Sequence, residues 1–135
     1  MVEISKEILE TVNKAGRVGT LSTTNGEGQP NVAYFGSPQL QEDGTIVMGL
    51  GSNRTLKNLE ENPRAVFFCV DESPVTFTTP GYRLYVQARE IQKEGPIVDG
   101  VKAAIAEVAG ADAAEMIAAG VVFEVTEIRP LVAMG

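Results

Sequence analysis

Apolar residues recur at helical spacing near the N-terminus and alternate with polar residues along much of the remaining chain. Ile4, Ile8 and Val12 fall on one helical face, which predicts an amphipathic helix over residues 5–15, capped by Ser5 and ended by Gly16. The β-rich or alternating segments predict six strands, at 17–24, 31–37, 45–50, 64–70, 82–91 and 121–128. Asn25-Gly26 is a tight-turn signal, so residues 17–37 are expected to form a β-hairpin.

The remaining segments predict helices at the edge of this β-rich framework. A short helix is expected over residues 54–61, and the alanine-rich region 97–119 should hold one or two helices broken near Gly110. Residues 71–81 are rich in turn formers and are expected to form a loop. Strands do not alternate with long helices as a doubly wound sheet requires. The pattern therefore predicts one mainly β domain over residues 1–135, a mainly antiparallel barrel with peripheral helices.

Composition excludes several kinds of chemistry. The chain of 135 residues has no histidine, which removes Ser-His-Asp and Cys-His nucleophilic systems and the usual zinc sites, and no metal site is predicted. The single cysteine, Cys69, cannot form an internal disulfide, and it lies in the apolar run AVFFCV. It is therefore interpreted as a small buried hydrophobic residue, because no base is available to activate it.

The charge is unevenly distributed along the chain. Eighteen acids and eleven bases give a net charge of −7, which argues against binding of nucleic acid or of an anionic membrane surface. Residues 51–96 hold six acids and six bases, so the acidic excess lies in the flanks and the centre is the part that could receive an anion. No apolar stretch approaches a membrane span or secretory signal, and a cytoplasmic location is expected.

The helix expected after Gly51 carries its charges in reverse of the usual order. Arg54 and Lys57 stand in the first turn and Glu60 and Glu61 in the last, although the helix macrodipole is positive at its N-terminus. This arrangement suits an anion held by free backbone N–H groups and by the Arg54 guanidinium, a geometry that fits a phosphate monoester. A second interpretation is equally consistent with the pattern: Ser52 or Asn53 caps a surface helix whose bases are solvated.

Adjacent aromatic residues mark the end of the second strand. Tyr34 and Phe35 must face opposite sides of a strand, so both cannot be core residues. One of them could line a planar aromatic ligand, with Gly36 allowing that ligand to lie against the backbone. The alternative is one core aromatic residue and one that covers a subunit interface.

These segments together resemble a known family. The runs LSTTNGEGQPNVAYFG and GSNRTLKNLEENPRAVFF are similar to the FMN-binding split-barrel family related to pyridoxamine 5′-phosphate oxidase. The matching positions are Ser52, Arg54, Thr55, Asn58, Leu59, Asn62, Pro63, Arg64 and Val66, and the resemblance covers about residues 15–91.

The resemblance implies a homodimer of six-stranded split barrels, with FMN in a cleft at the subunit interface. It implies that Arg54 and Thr55 hold the phosphate, with Ser52, Asn53 and Lys57 nearby. Residues 75–82 of the other subunit would complete the cleft. The residues implied to border the ribityl chain and the isoalloxazine ring are Tyr34, Phe35, Gly36, Met48, Gly49 and Leu50.

The resemblance implies a flavin-dependent function with an unidentified substrate. Only Arg129 is basic among the last 30 residues, where the oxidase has further phosphate-gripping bases, so vitamin B6 oxidation is not expected. The prediction is an FMN-dependent oxidoreductase or electron-transfer protein, served by a redox partner or a nicotinamide donor, with no catalytic residue assigned. The alternatives are a non-catalytic FMN storage or sensing module, and a split barrel binding a deazaflavin or haem. Haem is disfavoured because the chain has no histidine ligand for it, although Tyr34, Tyr82 or Tyr85 could serve in principle.

Overall fold

Seven strands and four helices make up the part of the chain that this computed structural model describes, residues 2–71 and 75–132. The helices are α1 (Lys6–Val12), α2 (Arg54–Glu61), α3 (Pro96–Ala109) and α4 (Ala111–Glu115). The strands are β1 (Val18–Thr24), β2 (Pro30–Tyr34), β3 (Gln39–Leu40), β4 (Thr45–Leu50), β5 (Arg64–Val70), β6 (Gly81–Gln92) and β7 (Ala119–Pro130).

All the strands belong to one antiparallel sheet in the order β2-β1-β5-β6-β7-β4-β3. Strands β2 and β3 lie at opposite edges of this sheet, yet only residues 35–38 connect them. A chain of that length reaches about 18 Å at most, whereas a flat sheet of seven strands would be about 29 Å wide. The sheet must therefore curl until its two edges approach each other, which is the geometry of an open, or split, barrel. The connection 35–38 is called the seam below.

The core lies inside this curled sheet and is covered by the helices. Leu21, Phe67, Leu84 and Phe123 come from four different strands and are almost fully buried. Helix α2 adds Leu56 and Leu59 to the same cluster. The cluster is contiguous, which is what a single hydrophobic core requires.

The predicted elements agree with the structure in type, and three of them, α2, β4 and β5, have the predicted bounds. Helix α2 covers residues 54–61 and β5 covers 64–70, and the alanine-rich region is broken at Gly110 as expected. The prediction of six strands was one short, because β3 has only two residues and pairs with Val47 and Ile46 of β4. Residues 72–74 of the predicted loop lie outside the described residues.

The first helix is shorter than predicted at its C-terminal end. The Ser5 hydroxyl accepts a hydrogen bond from Ile8 N at 3.1 Å, as a capping residue does. The helix ends at Val12, and Asn13 is its C-terminal cap. The Asn13 side chain bonds both backbone groups of Leu40, at 2.9 Å each, which ties the end of α1 to β3.

Candidate functional site

The N-terminal end of α2 has free hydrogen-bond donors. Asn53 caps the helix: its side chain accepts from Leu56 N at 2.9 Å and its carbonyl accepts from Lys57 N at 3.2 Å. Within the described residues, the N–H groups of Arg54 and Thr55 have no acceptor. They stand where the macrodipole is positive, so this helix start can bind an anion.

The acidic and basic side chains of α2 differ in whether they have bonding partners among the described residues. Glu60 pairs with Lys93 at 3.1 Å, and Glu61 accepts a hydrogen bond from Gly26 N at 2.9 Å. Arg54 and Lys57 are exposed, and their side chains have no hydrogen bond or ion pair within residues 2–71 and 75–132. Contacts within the described chain therefore explain the acidic residues at the end of α2, but they do not explain the basic residues at its start.

Arg54 and Lys57 line a cavity of about 400 Å³ between α2 and the loop that joins β1 to β2. Asn58 of α2 is buried, and its amide donates to the Thr23 hydroxyl at 3.0 Å, which holds the helix against β1. The other residues in the wall are Asn25, Glu27, Gln29, Pro30, Asn31 and Glu61.

The contribution of this loop was missed from the sequence, where Asn25-Gly26 was interpreted only as a turn. In the structure the Asn25 side chain accepts from the N–H groups of Glu27 and Gln29, at 2.9 Å each, so the loop has a defined shape. The spacing of Asn25 and Glu61 gives no signal that the two regions meet. The antiparallel pairing of β1 with β5 brings them together, since Ser22 pairs with Val66 and the two regions extend from the same end of these strands.

Tyr34 and Phe35 face opposite sides, as the sequence predicted. Tyr34 is 64% exposed, whereas Phe35 packs against the core and its N–H donates to Gly19 O at 2.9 Å. Phe35 and Gly36 lie after β2 rather than within it, because β2 ends at Tyr34. Tyr34 and Gly36 line a second cavity, of about 530 Å³.

The predicted residues of β4 are interior. Met48 and Leu50 are almost fully buried, and Gly49 is also buried. A methyl group on Gly49 would collide with Val101 of α3, so the absence of a side chain there lets the helix approach the sheet. Met48 and Gly49 contribute to a third cavity, of about 400 Å³, between α3 and the sheet.

The predicted site residues therefore border three cavities of the described chain rather than one. The second and third cavities share Ser37 and Gln39 near the seam, so they are neighbours. Thr55 is buried in α2, while Ser52 and Asn53 are exposed at its start. Sequence spacing does not show whether a glycine leaves room for a ligand or for a neighbouring helix. At Gly49 it leaves room for α3.

Three titratable groups have shifted pKa values: hydrogen bonds from Thr45 lower the pKa of Asp43, and the pKa values of Cys69 and Tyr82 are raised. Burial raises the pKa of Cys69 to about 11, and its thiol donates to Val12 O at 3.8 Å. The pKa of Tyr82 is raised by burial and secondarily by the charge of Glu7. Cys69 and Tyr82 are therefore neutral at pH 7, and Cys69 is the buried hydrophobic residue that the sequence predicted.

Neither a metal site nor a membrane helix is found in the described part of the chain. Residues 2–71 and 75–132 contain no group of three or more potential metal ligands. No helix among them is long and apolar enough to cross a membrane.

The outward face of the sheet has a row of four side chains in register, three of them apolar or aromatic and one a serine. Val32, Ser22, Val66 and Tyr85 occupy directly paired positions on β2, β1, β5 and β6. Val32 is 63% exposed, and Val66 and Tyr85 are partly exposed. A contiguous exposed face of this kind is typical of an interaction surface.

Comparison with known proteins adds a family and several solved structures of the same fold. The profile of a family described as pyridoxamine 5′-phosphate oxidase matches residues 4–130. The structure of HupZ from Group A Streptococcus is 26% identical to this chain, with a TM-score of 0.77 over 95% of this chain and 94% of that one. A comparison with curated proteins gives no significant match.

Two further solved structures share the fold at lower identity. An FMN-binding protein from Syntrophomonas wolfei subsp. wolfei is 23% identical, with a TM-score of 0.78 over 96% of this chain and 90% of that one. HutZ, the haem storage protein from Vibrio cholerae, is 17% identical, with a TM-score of 0.66 over 96% of this chain and 95% of that one. One fold thus serves proteins that are named for different cofactors.

Proposed function

The chain belongs to the pyridoxamine 5′-phosphate oxidase family, and from that premise we propose that it is a homodimeric FMN-binding flavoprotein. We further propose that it acts as an oxidoreductase or electron-transfer protein. The observation that carries the proposal is the basic start of α2, where Arg54 and Lys57 lie exposed beside two free backbone N–H groups. A phosphate monoester is the part of FMN that such a donor set fits.

The phosphate proposal uses donors that the protein does not use for its own stability. Arg54 and Lys57 have no partner of their own within the described residues, so a bound phosphate would replace no existing ion pair. Glu61, which shares the cavity wall, is already bonded to Gly26 N. The proposed roles are therefore phosphate binding for Arg54, Lys57 and the N–H groups of Arg54 and Thr55.

The flavin ring is proposed to lie near the end of β2. Tyr34 offers an exposed aromatic face there, and Gly36 has no side chain to block a planar group. Met48 and Leu50 would support this region from the core instead of touching the ring, since they are almost fully buried.

The outward apolar face supports the proposed homodimer. Val66 and Tyr85 lie near the middle of the sheet, and Val32 lies on its edge strand, so the face is wide enough to pair with a second copy. Tyr34 follows Val32 on the same side of β2, which connects this face to the region proposed for the ring. A second copy that covers the face would also shield the flavin from water.

The chemistry of the proposed reaction belongs to the cofactor. When bound, FMN supplies the capacity to accept and donate a hydride or single electrons. The chain's own residues bind the phosphate, orient the ring at the seam and limit its contact with water. A nicotinamide donor or a redox partner would supply the electrons.

The test is the identity and reactivity of the bound small molecule. Purified protein is expected to show flavin absorbance and to release FMN, identified by mass spectrometry, on denaturation. Colourless protein that does not bind added FMN would overturn the proposal. An absorbance spectrum of haem or of a deazaflavin would show that the protein binds that cofactor instead of FMN.

Reduction separates the enzyme from a storage module. Anaerobic addition of NADH or NADPH is expected to bleach the flavin absorbance. Protein that binds FMN tightly, yet remains oxidised with both nicotinamides and with a small one-electron donor, would be a non-catalytic FMN store or sensor.

A further inference from the structure

Arg17 is buried without a counter-charge. It precedes β1 and is 6% exposed, and its Nη2 donates to Gly36 O at 2.9 Å and also to Pro38 O. Its Nε has no hydrogen-bond partner, and no carboxylate of the described residues forms an ion pair with it. A buried arginine is normally paired, because removing a guanidinium from water is costly.

The acid beside this region is engaged elsewhere. Asp71 follows β5, whose Val70 pairs with Val18, and its Oδ2 lies 3.4 Å from Lys14 Nζ. Its other oxygen is buried without a hydrogen-bond partner. Among the described residues, Asp71 pairs with Lys14, whereas the Arg17 guanidinium bonds backbone carbonyls alone.

Arg17 borders the second cavity, of about 530 Å³, which has no acidic residue in its described wall. Lys14 and Arg17 line one side, and Ile105 and Val108 of α3 line another. Val108 is 87% exposed, so its side chain is accessible to a ligand that enters this cavity. In a protein of net charge −7, an acid-free cavity with two bases and an apolar wall favours a particular kind of ligand.

We propose that this cavity binds an organic carboxylate with an apolar body. The carboxylate lies toward Lys14 and Arg17, and the apolar body lies between Tyr34 and the Ile105–Val108 edge of α3. Because Tyr34 and Gly36 are also the residues proposed to border the flavin ring, this ligand is the substrate of the flavin reaction, an assignment that rests on the proposed function.

The cavity suits such a ligand in size and in rigidity. Its volume lies within the usual range for small-molecule sites, roughly 300–1,000 Å³. Arg17 cannot swing away, since its guanidinium is held by two seam carbonyls. A charge fixed in this way attracts an anion without an ordering cost at the moment of binding.

The probe is 1-naphthoate, with uncharged 1-naphthamide as its matched control, in calorimetric titrations of both the flavin-free and the FMN-loaded protein. We expect naphthoate to bind at least about tenfold more tightly than the amide, the scale of a charge-assisted hydrogen bond. Arg17→Met should abolish this preference.

Arg17→Met changes a buried residue and could prevent folding, so a second test uses the exposed residue Val108. Val108→Lys should tighten and Val108→Asp should weaken naphthoate binding, each by about threefold, which is typical of one partly screened charge. Ala106→Lys and Ala106→Asp on the same helix are matched controls, because Ala106 is exposed and is not in the cavity wall. They should change the affinity much less.

Three results would overturn the proposal. The first is equal affinity for naphthoate and naphthamide, as expected if a second copy supplies the missing counter-charge. The second is equal effects of the Val108 and Ala106 substitutions. The third is a combination of two observations: inorganic phosphate competes with naphthoate, and Arg17→Met loses affinity for FMN but not for riboflavin. That combination would identify the cavity as the site of the FMN phosphate. The protein could also bind naphthoate without ever binding FMN. That result would refute the flavin function but would support the carboxylate site.

Discussion

Replacing Arg54 with alanine removes an exposed guanidinium at the start of α2. No described residue bonds this side chain, so its loss breaks no internal contact. The free energy of unfolding should therefore change by less than about 0.5 kcal/mol, as for an ordinary surface position. The whole effect should appear in ligand binding.

The size of that effect follows from one charge-assisted hydrogen bond to phosphate. Such a bond contributes about 1.5–3 kcal/mol, which is about a 12-fold to 150-fold change in dissociation constant. Arg54 is exposed, so screening by salt should place the loss in the lower half of this range at about 0.15 M ionic strength. Riboflavin lacks the phosphate and should lose less than about twofold, since the substitution leaves the ring contacts intact.

The assay is quenching of flavin fluorescence on titration with protein, for FMN and riboflavin in parallel and at two salt concentrations. Lys6→Ala is the control for charge: Lys6 is exposed on α1, 3.9 Å from Glu10, and borders none of the three cavities. Equal losses for FMN and riboflavin in Arg54→Ala, or no loss for FMN, would refute the placement of the phosphate.

Three further predictions concern stability, titration and assembly. Gly49→Ala should lower the free energy of unfolding by about 1–3 kcal/mol in urea titrations, because its methyl group collides with Val101, whereas Gly100→Ala in the open interior of α3 should raise it by about 0.5–1 kcal/mol. Burial raises the pKa of Cys69 from 9.0 to about 11, so the unfolded chain loses this proton first and stability should fall as the pH rises from 9 to 11; the fall should be smaller in Cys69→Ala, which keeps the contribution of Tyr82, whose pKa is also raised. Val66→Glu on the outward face should convert a dimer into a monomer of 14.4 kDa by sedimentation, and a monomeric unsubstituted chain would contradict the proposed assembly.

The local pattern was enough to predict most elements of the fold. Helix α2 and strand β5 have strong boundary signals, Asn62-Pro63 between them in particular, and both have the predicted bounds. Strand β3 could not be predicted, since a two-residue strand has no periodicity and exists only through its pairing with β4. The order of the strands was not accessible either, because it depends on contacts distant in sequence.

The candidate site was predictable where chemistry shows in local sequence. Arg54 and Lys57 were found because their position contradicts the macrodipole, and the structure leaves both without partners among its described residues. Arg17 was missed as a candidate, since an arginine that begins an alternating strand gives no sign of being buried. Its burial is a consequence of the curl that brings the seam over it.

The seam also sets how this protein opens. Residues 35–38 carry none of the long ladders that hold β5, β6 and β7 together, and the bonds of Arg17, Asn13 and Phe35 are what tie this connection and its flanks down. Breaking those few bonds frees the seam to move within the reach of its covalent connection while the central strands stay paired, so amides at the seam should exchange with deuterium through local opening rather than global unfolding. The seam is therefore a site of low local stability beside the two neighbouring cavities. A ligand that contacts both sides of the seam would slow amide exchange there before it changed the global stability.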